Sequence, residues 1–252
     1  MIEIRQLTKI YSGSVKAVDG VSMTVKRGEI FGFLGPNGAG KTTTIKMIVG
    51  LLKPTEGQIM IEDIDVASSP VEAKLKMGYV ADEPLVMEKI TGIQYLNLIC
   101  DVFKIPPSVR AERAERLVQN FKLSDAIKDP VSTYSHGMRQ KLSLIAALIH
   151  NPDLWILDEP IVGLDPESAF ILKQMMRNHV KAGNTVFFST HVMEVAERIC
   201  DRIGIINKGK LEFVGTVKEL RDLRGQGSLE QLFLEVTGSE TENGDFSYLD
   251  AN

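Results

Sequence analysis

The chain has 252 residues, 44% of them hydrophobic and 25% charged, with a formal net charge of −4. That length supplies core enough for one large domain or two small ones. The weakly acidic balance offers no basic field, so no nucleic-acid partner is expected. Cys100 and Cys200 lack metal-type spacing and read as buried thiols of a reducing compartment. No apolar run approaches the roughly 20 residues of a membrane-spanning helix, and the opening MIEIRQLTKIY carries no basic leader or apolar stretch. A soluble protein is expected, with any membrane role arriving through a partner.

In chain order, residues 1–35 alternate polar and apolar positions between Gly and Ser punctuation, which predicts several short strands and hairpin turns. A helical pattern runs from Gly40 to about Val49, with Gly50 as its stop, and GQIMIEDIDV reads as strand. Residues 83–148 are mostly helical, and Ile93, Leu96, Cys100 and Phe103 share a face. Pro106-Pro107 interrupts, and Ser108 is the predicted cap of the next helix. Two buried-type strands, LWILDE and TVFFST, flank a helix over about 167–181. RIGIINKG then turns at Lys208-Gly209 into KLEFVG. Thr216 with Glu219 and Ser228 with Gln231 form the capping boxes of two further helices. Residues 236–252 are polar and acidic, and a loose tail is expected.

The strongest chemical signal is FGFLGPNGAGKTTTIK, which places Gly35-x-x-x-x-Gly40-Lys41-Thr42 between a predicted strand and a predicted helix. Glycines let backbone N–H groups curl around phosphate oxygens, and the helix N-terminus adds free donors. Lys41 is placed to reach the β- and γ-phosphates, and the Thr42 hydroxyl to ligate Mg²⁺. A nucleoside triphosphate is therefore the expected ligand. A GTPase would need Asn-Lys-x-Asp, and NKGK at Asn207 lacks its Asp. Downstream, LWILDEP delivers Asp158 and Glu159 to the carboxyl end of a buried strand, where ligands of open α/β sheets bind. Asp158 is then placed to hold Mg²⁺, and Glu159 to polarise an attacking water.

With these motifs in order, the chain resembles the ATP-binding subunits of ABC transporters over about residues 2–220. Tyr11 matches the position that stacks on adenine, and Gly35 to Thr43 match the phosphate loop. YSHGMRQK matches the family signature, LWILDEP the strand with the catalytic glutamate, GLDP at 163–166 the D-loop, and STH the switch histidine at His191.

The resemblance implies an α/β fold of RecA-like type, with an N-terminal antiparallel β subdomain and an inserted helical subdomain at about 83–150. One ATPase domain would fill 1–235. It implies Glu159 and His191 as catalytic residues. Tyr11, Val18, Asn37, Gly38, Gly40, Lys41, Thr42 and Thr43 would bind ATP, and Thr42 and Asp158 would hold Mg²⁺. Ser135, His136, Gly137 and Met138 would face the ATP of a second ABC ATPase domain, with Asp165 in the D-loop between them. That second domain would be another copy in a homodimer, or a different chain in a heterodimer.

A separately encoded membrane permease would complete an exporter, and the short C-terminal SLEQLFLEVTG resembles subunits of bacterial ABC-2-like exporters. The protein would then sit on the cytoplasmic face of the membrane. The alternative is a soluble ABC ATPase acting as a mechanical switch. Two residues depart from the family pattern: Asp82, or Glu83, stands at the position usually held by glutamine, and His136 stands where glycine is usual. Apart from that departure, His136, like His150 and His179, reads as an ordinary surface or packing residue.

Overall fold

The structure is a computed structural model that describes residues 1–238. Its first two strands are β1 (Ile2–Tyr11) and β2 (Val15–Val25), so two long strands replace the several short ones expected. Register shifts after Ile4, Leu7 and Lys9, with Gln6 at φ 47°, break the alternation without ending the pairing. Next comes β3 (Ile30–Leu34), buried at all five positions, as a strand covered on both faces must be. The helix α1 (Lys41–Ile48) leads to β4 (Glu56–Ile61) and β5 (Ile64–Asp65), which complete a four-stranded antiparallel sheet in the order β2-β1-β4-β5.

The chain continues through α2 (Pro70–Leu75) and β6 (Met77–Val80) into the helical insert, made of α3 (Gly92–Val102), α4 (Pro107–Asn120) and α5 (His136–Leu148). Thr91 and Gln94 form a capping box for α3. Ser108 is not a cap. Pro107 takes the first helical position of α4 and Pro106 the cap position, with no side-chain cap. A proline ring presets φ for that place and gives up an N–H that had no helical partner.

After the insert come β7 (Leu154–Leu157), α6 (Pro166–Lys181), β8 (Thr185–Thr190), α7 (Met193–Ile199), β9 (Arg202–Asn207), β10 (Lys210–Gly215), α8 (Val217–Arg224) and α9 (Leu229–Thr237). Both predicted C-terminal capping boxes are present. The α9 helix takes in the first two residues of the expected tail, and 239–252 lie outside the described residues. Among the described residues no helix is long and apolar enough to cross a membrane.

The central sheet runs β10-β9-β3-β8-β7-β6, parallel at every pairing except β9 with β10. Ile4, Phe33, Ile45 and Phe187 fill the layer between the two sheets. Leu157, Phe188, Leu144 and Trp155 pack the opposite face against the insert and α6. Each large side chain buried this way contributes about 1.5–3 kcal/mol. Both layers fix β3, β7 and β8 rigidly, and the carboxyl ends of these parallel strands open on one edge.

Candidate functional site

At that edge the chain turns from β3 through residues 35–40 into α1. Gly40 adopts φ 107°, and a Cβ there would stand 2.5 Å from the Ala17 carbonyl oxygen, so the loop can pass only without a side chain. No side chain caps α1 and no acidic residue occupies its first turn, which leaves its N-terminal donors and dipole open to an anion. Ala17, Pro36, Asn37, Gly38, Gly40, Lys41, Thr42, Thr43, Asp82 and Glu159 line a cleft of 240 Å³ around this turn.

Lys41 is buried, and its Nζ donates to Gly35 O at 2.7 Å and Pro36 O at 3.3 Å. It also pairs with Glu159 Oε1 at 3.3 Å, without hydrogen-bond geometry. Glu159 follows the end of β7 with φ 46°, a strained value for a residue with a side chain. Its Oε2 lies 3.0 Å from His191 Nδ1, at the end of β8. The strain is held by Ser189, whose hydroxyl accepts the Glu159 N–H at 2.9 Å and donates to Asp158 Oδ1 at 2.5 Å. One hydroxyl on a neighbouring strand therefore orders both carboxylates. Ser189 carries no motif of its own in the sequence, and only the hydroxyl that follows the TVFF run marks it.

Asp158 is fully buried. Burial raises its carboxyl pKa above the usual range, while the Ser189 and Thr42 hydroxyls work the other way. Its Oδ2 is buried with no hydrogen-bond partner among the described residues. An orphaned carboxylate oxygen beside a threonine hydroxyl fits a hard cation such as Mg²⁺. Among the described residues no three His, Cys, Asp or Glu cluster as a metal cage.

The other expected residues lie elsewhere or act differently. Asp82 reaches the cleft while Glu83 does not line it, and Asp82 Oδ1 accepts from the Glu83 N–H at 3.0 Å. Val18 is fully buried beneath Gly40, in the layer between the sheets. Its neighbour Ala17, at the register shift between Lys16 and Val18, lines the cleft. Tyr11 stands outside the cleft lining at the exposed end of β1, its ring 5.6 Å from Lys9 Nζ.

The signature residues do not line the cleft. Ser135 caps α5, accepting the Met138 N–H at 3.3 Å. His136 is exposed and packs over Gly163, which adopts φ 80° and where a Cβ would strike the imidazole. Asp165 caps α6 through Ser168, at 2.9 Å to the N–H and 2.6 Å to the hydroxyl, and pairs with Lys141 of α5 at 3.1 Å. The Ser168 bonds, then Lys141, hold the Asp165 carboxyl well below the usual carboxylate range. The signature turn and the D-loop thus form one unit, apart from the phosphate loop.

A family model described as "ABC transporter" matches residues 18–162. The linearmycin resistance ATP-binding protein LnrL of Bacillus subtilis is 35% identical over 92% of this chain and 74% of its own length. A solved structure titled as the ATP binding subunit of an ABC transporter superposes with a TM-score of 0.90 at 31% identity, covering 94% of this chain and 99% of that one. A second, titled as the dimeric structure of the bacterial ABC transporter cassette MJ0796, gives 0.79 at 26% identity, covering 86% and 99%. The chain spans less than two thirds of some curated relatives, 62% of one from Nostoc and 41% of one from Escherichia coli.

Proposed function

The chain belongs to the ABC transporter family, and on that premise we propose that it is the ATP-hydrolysing subunit of an exporter. The observation that carries this reading is the Lys41–Glu159–His191 cluster, locked by Ser189 at the mouth of the phosphate loop. ATP entering the cleft offers Lys41 phosphate oxygens in place of the Gly35 and Pro36 carbonyls and the Glu159 carboxylate. Glu159, released from Lys41 and still oriented by its backbone and His191, then takes a proton from the attacking water. Thr42 and Asp158 would hold Mg²⁺, which supplies neutralising charge to the β- and γ-phosphates.

The signature turn completes a second domain's ATP site, so ATP draws two domains together. The exposure of Ser135 and His136 supports this, as does the dimeric cassette of similar fold. Closure reaches the permease through the segment after Asp82. Arg139 of α5 pairs with Glu88 at 2.7 Å, and the Ser132 N–H donates to Glu88 O at 3.0 Å, which ties that segment to the signature helix. The drug-resistance name of a relative favours export.

Tagged protein drawn from detergent-solubilised membranes tests the reading. A co-purifying multi-spanning chain without its own phosphate loop is the expected result. Recovery of only ribosomal or soluble partners would contradict it and leave an ATP-driven switch.

A further inference from the structure

Tyr79 borders a second cavity. Its ring lines an apolar groove of 370 Å³ along the edge strand β6, walled also by Val49, Leu85, Phe103 and His150. On the inner side of the strand, Tyr79 pairs with Ile156 of β7, and both pack in the layer beneath α1. Side chains alternate along a strand, so Asp158, two residues beyond Ile156, emerges on the same face. The ladder extends that far, because the Asp158 N–H still donates to Val80 O at 2.9 Å.

Two buried polar atoms of complementary capacity therefore share one neighbourhood. The Tyr79 hydroxyl has no hydrogen-bond partner among the described residues, and neither has Asp158 Oδ2. A phenol can donate, and a carboxylate oxygen can accept. Burial raises the Tyr79 phenol well above its ordinary pKa, and the carboxylates of Asp158 and Asp82 push it further, as close negative charges must.

We propose that Tyr79 is a positioning residue whose hydroxyl turns to donate to Asp158 Oδ2, so that the carboxylate is gripped at both oxygens. Ser189 already holds the other oxygen. The inference rests on the nucleotide-binding function proposed above and adds a residue that orders the Asp158 carboxylate.

The test is the coupling between Mg²⁺ and ATP, measured by equilibrium binding on Glu159→Gln protein with and without the metal. Tyr79→Phe keeps the ring and removes the hydroxyl. It is expected to reduce the tightening of ATP binding by Mg²⁺ about tenfold, the size of a lost hydrogen bond to a charged group. ATP affinity without Mg²⁺ and the thermal midpoint stay at the parent's values. His150→Phe alters the groove wall without removing that hydroxyl, and leaves the coupling intact. Unchanged coupling in Tyr79→Phe would overturn the inference, and so would an equal loss in His150→Phe, which would assign the effect to groove packing. A parent protein that binds no ATP would overturn it at its premise, a result visible before any Tyr79 variant is compared.

Discussion

The cleft and the signature turn are built on opposite plans. In the cleft, Lys41, Asp158, Glu159, Ser189 and His191 are tied to one another within one chain and held between two packed layers. At the signature turn, Ser135 and His136 lie at the surface on an uncovered helix N-terminus, braced from behind by Gly163 and the Lys141–Asp165 pair. A set of charges tied to one another can take a ligand by exchanging partners. A braced but outward-facing helix end has its chemistry left to another surface. On the function proposed above, binding belongs to one chain and turnover to two.

The sharpest way to break that contrast is at Glu159. Glu159→Gln is expected to cut ATP turnover by about 10²–10⁴-fold, the range for removing a general base, while ATP binding is retained. A comparable loss of binding in nucleotide titrations would mean that the cleft's internal ties, and not its chemistry, had been removed.

The rigidity of the core has its own probe in His179. This residue of α6 is buried edge-on against Trp155, and burial lowers its pKa from 6.5 to about 4. The unfolded chain therefore takes up a proton first as pH falls. Stability on the order of 3 kcal/mol is lost between about pH 6.5 and pH 4, with no further loss from this group below that. Thermal midpoints at pH 7 and pH 4.5 should converge in His179→Leu protein. An undiminished acid loss in that variant would assign the loss to other groups.

At the signature end, Ser135→Ala removes a helix cap worth about 1 kcal/mol of stability. If Ser135 also serves a partner's ATP, turnover should fall about tenfold at temperatures where the variant is still fully folded. Turnover that merely follows the folded fraction would reduce Ser135 to a cap. The smallest effect is expected at Asp82, which borders the cleft from the segment leading to α3. Asp82→Asn should change turnover several-fold and ATP affinity less, in the range of a surface electrostatic contact. Equal changes in both would remove its coupling role.

Much of this was legible in the residues themselves, and for identifiable reasons. The phosphate loop declares itself because its glycines answer a backbone requirement, as Gly40 against the Ala17 carbonyl shows. Capping boxes at Thr216 and Ser228 are local hydrogen-bond patterns that no tertiary contact had to supply. Ser108 is not the cap because the preference of Pro107 for the first helical position outweighs a serine's preference for capping. Val18 and Ala17 lie at a register shift between β1 and β2, which hides from the sequence which of them lines the cleft. The tie from Ser189 to Asp158 and Glu159 was not legible, because it crosses between strands 30 residues apart. The packing of His136 on Gly163 likewise joins two loops that only the fold brings together.

Sedimentation of Glu159→Gln protein with and without ATP tests most directly the claim that the two halves meet only between chains. The expected result is a doubling of mass when ATP is added, abolished by Ser135→Arg although that variant still binds ATP. A protein that binds ATP and stays monomeric at every concentration would contradict assembly from two copies of this chain. Doubling that survives Ser135→Arg would contradict the place given to the signature turn.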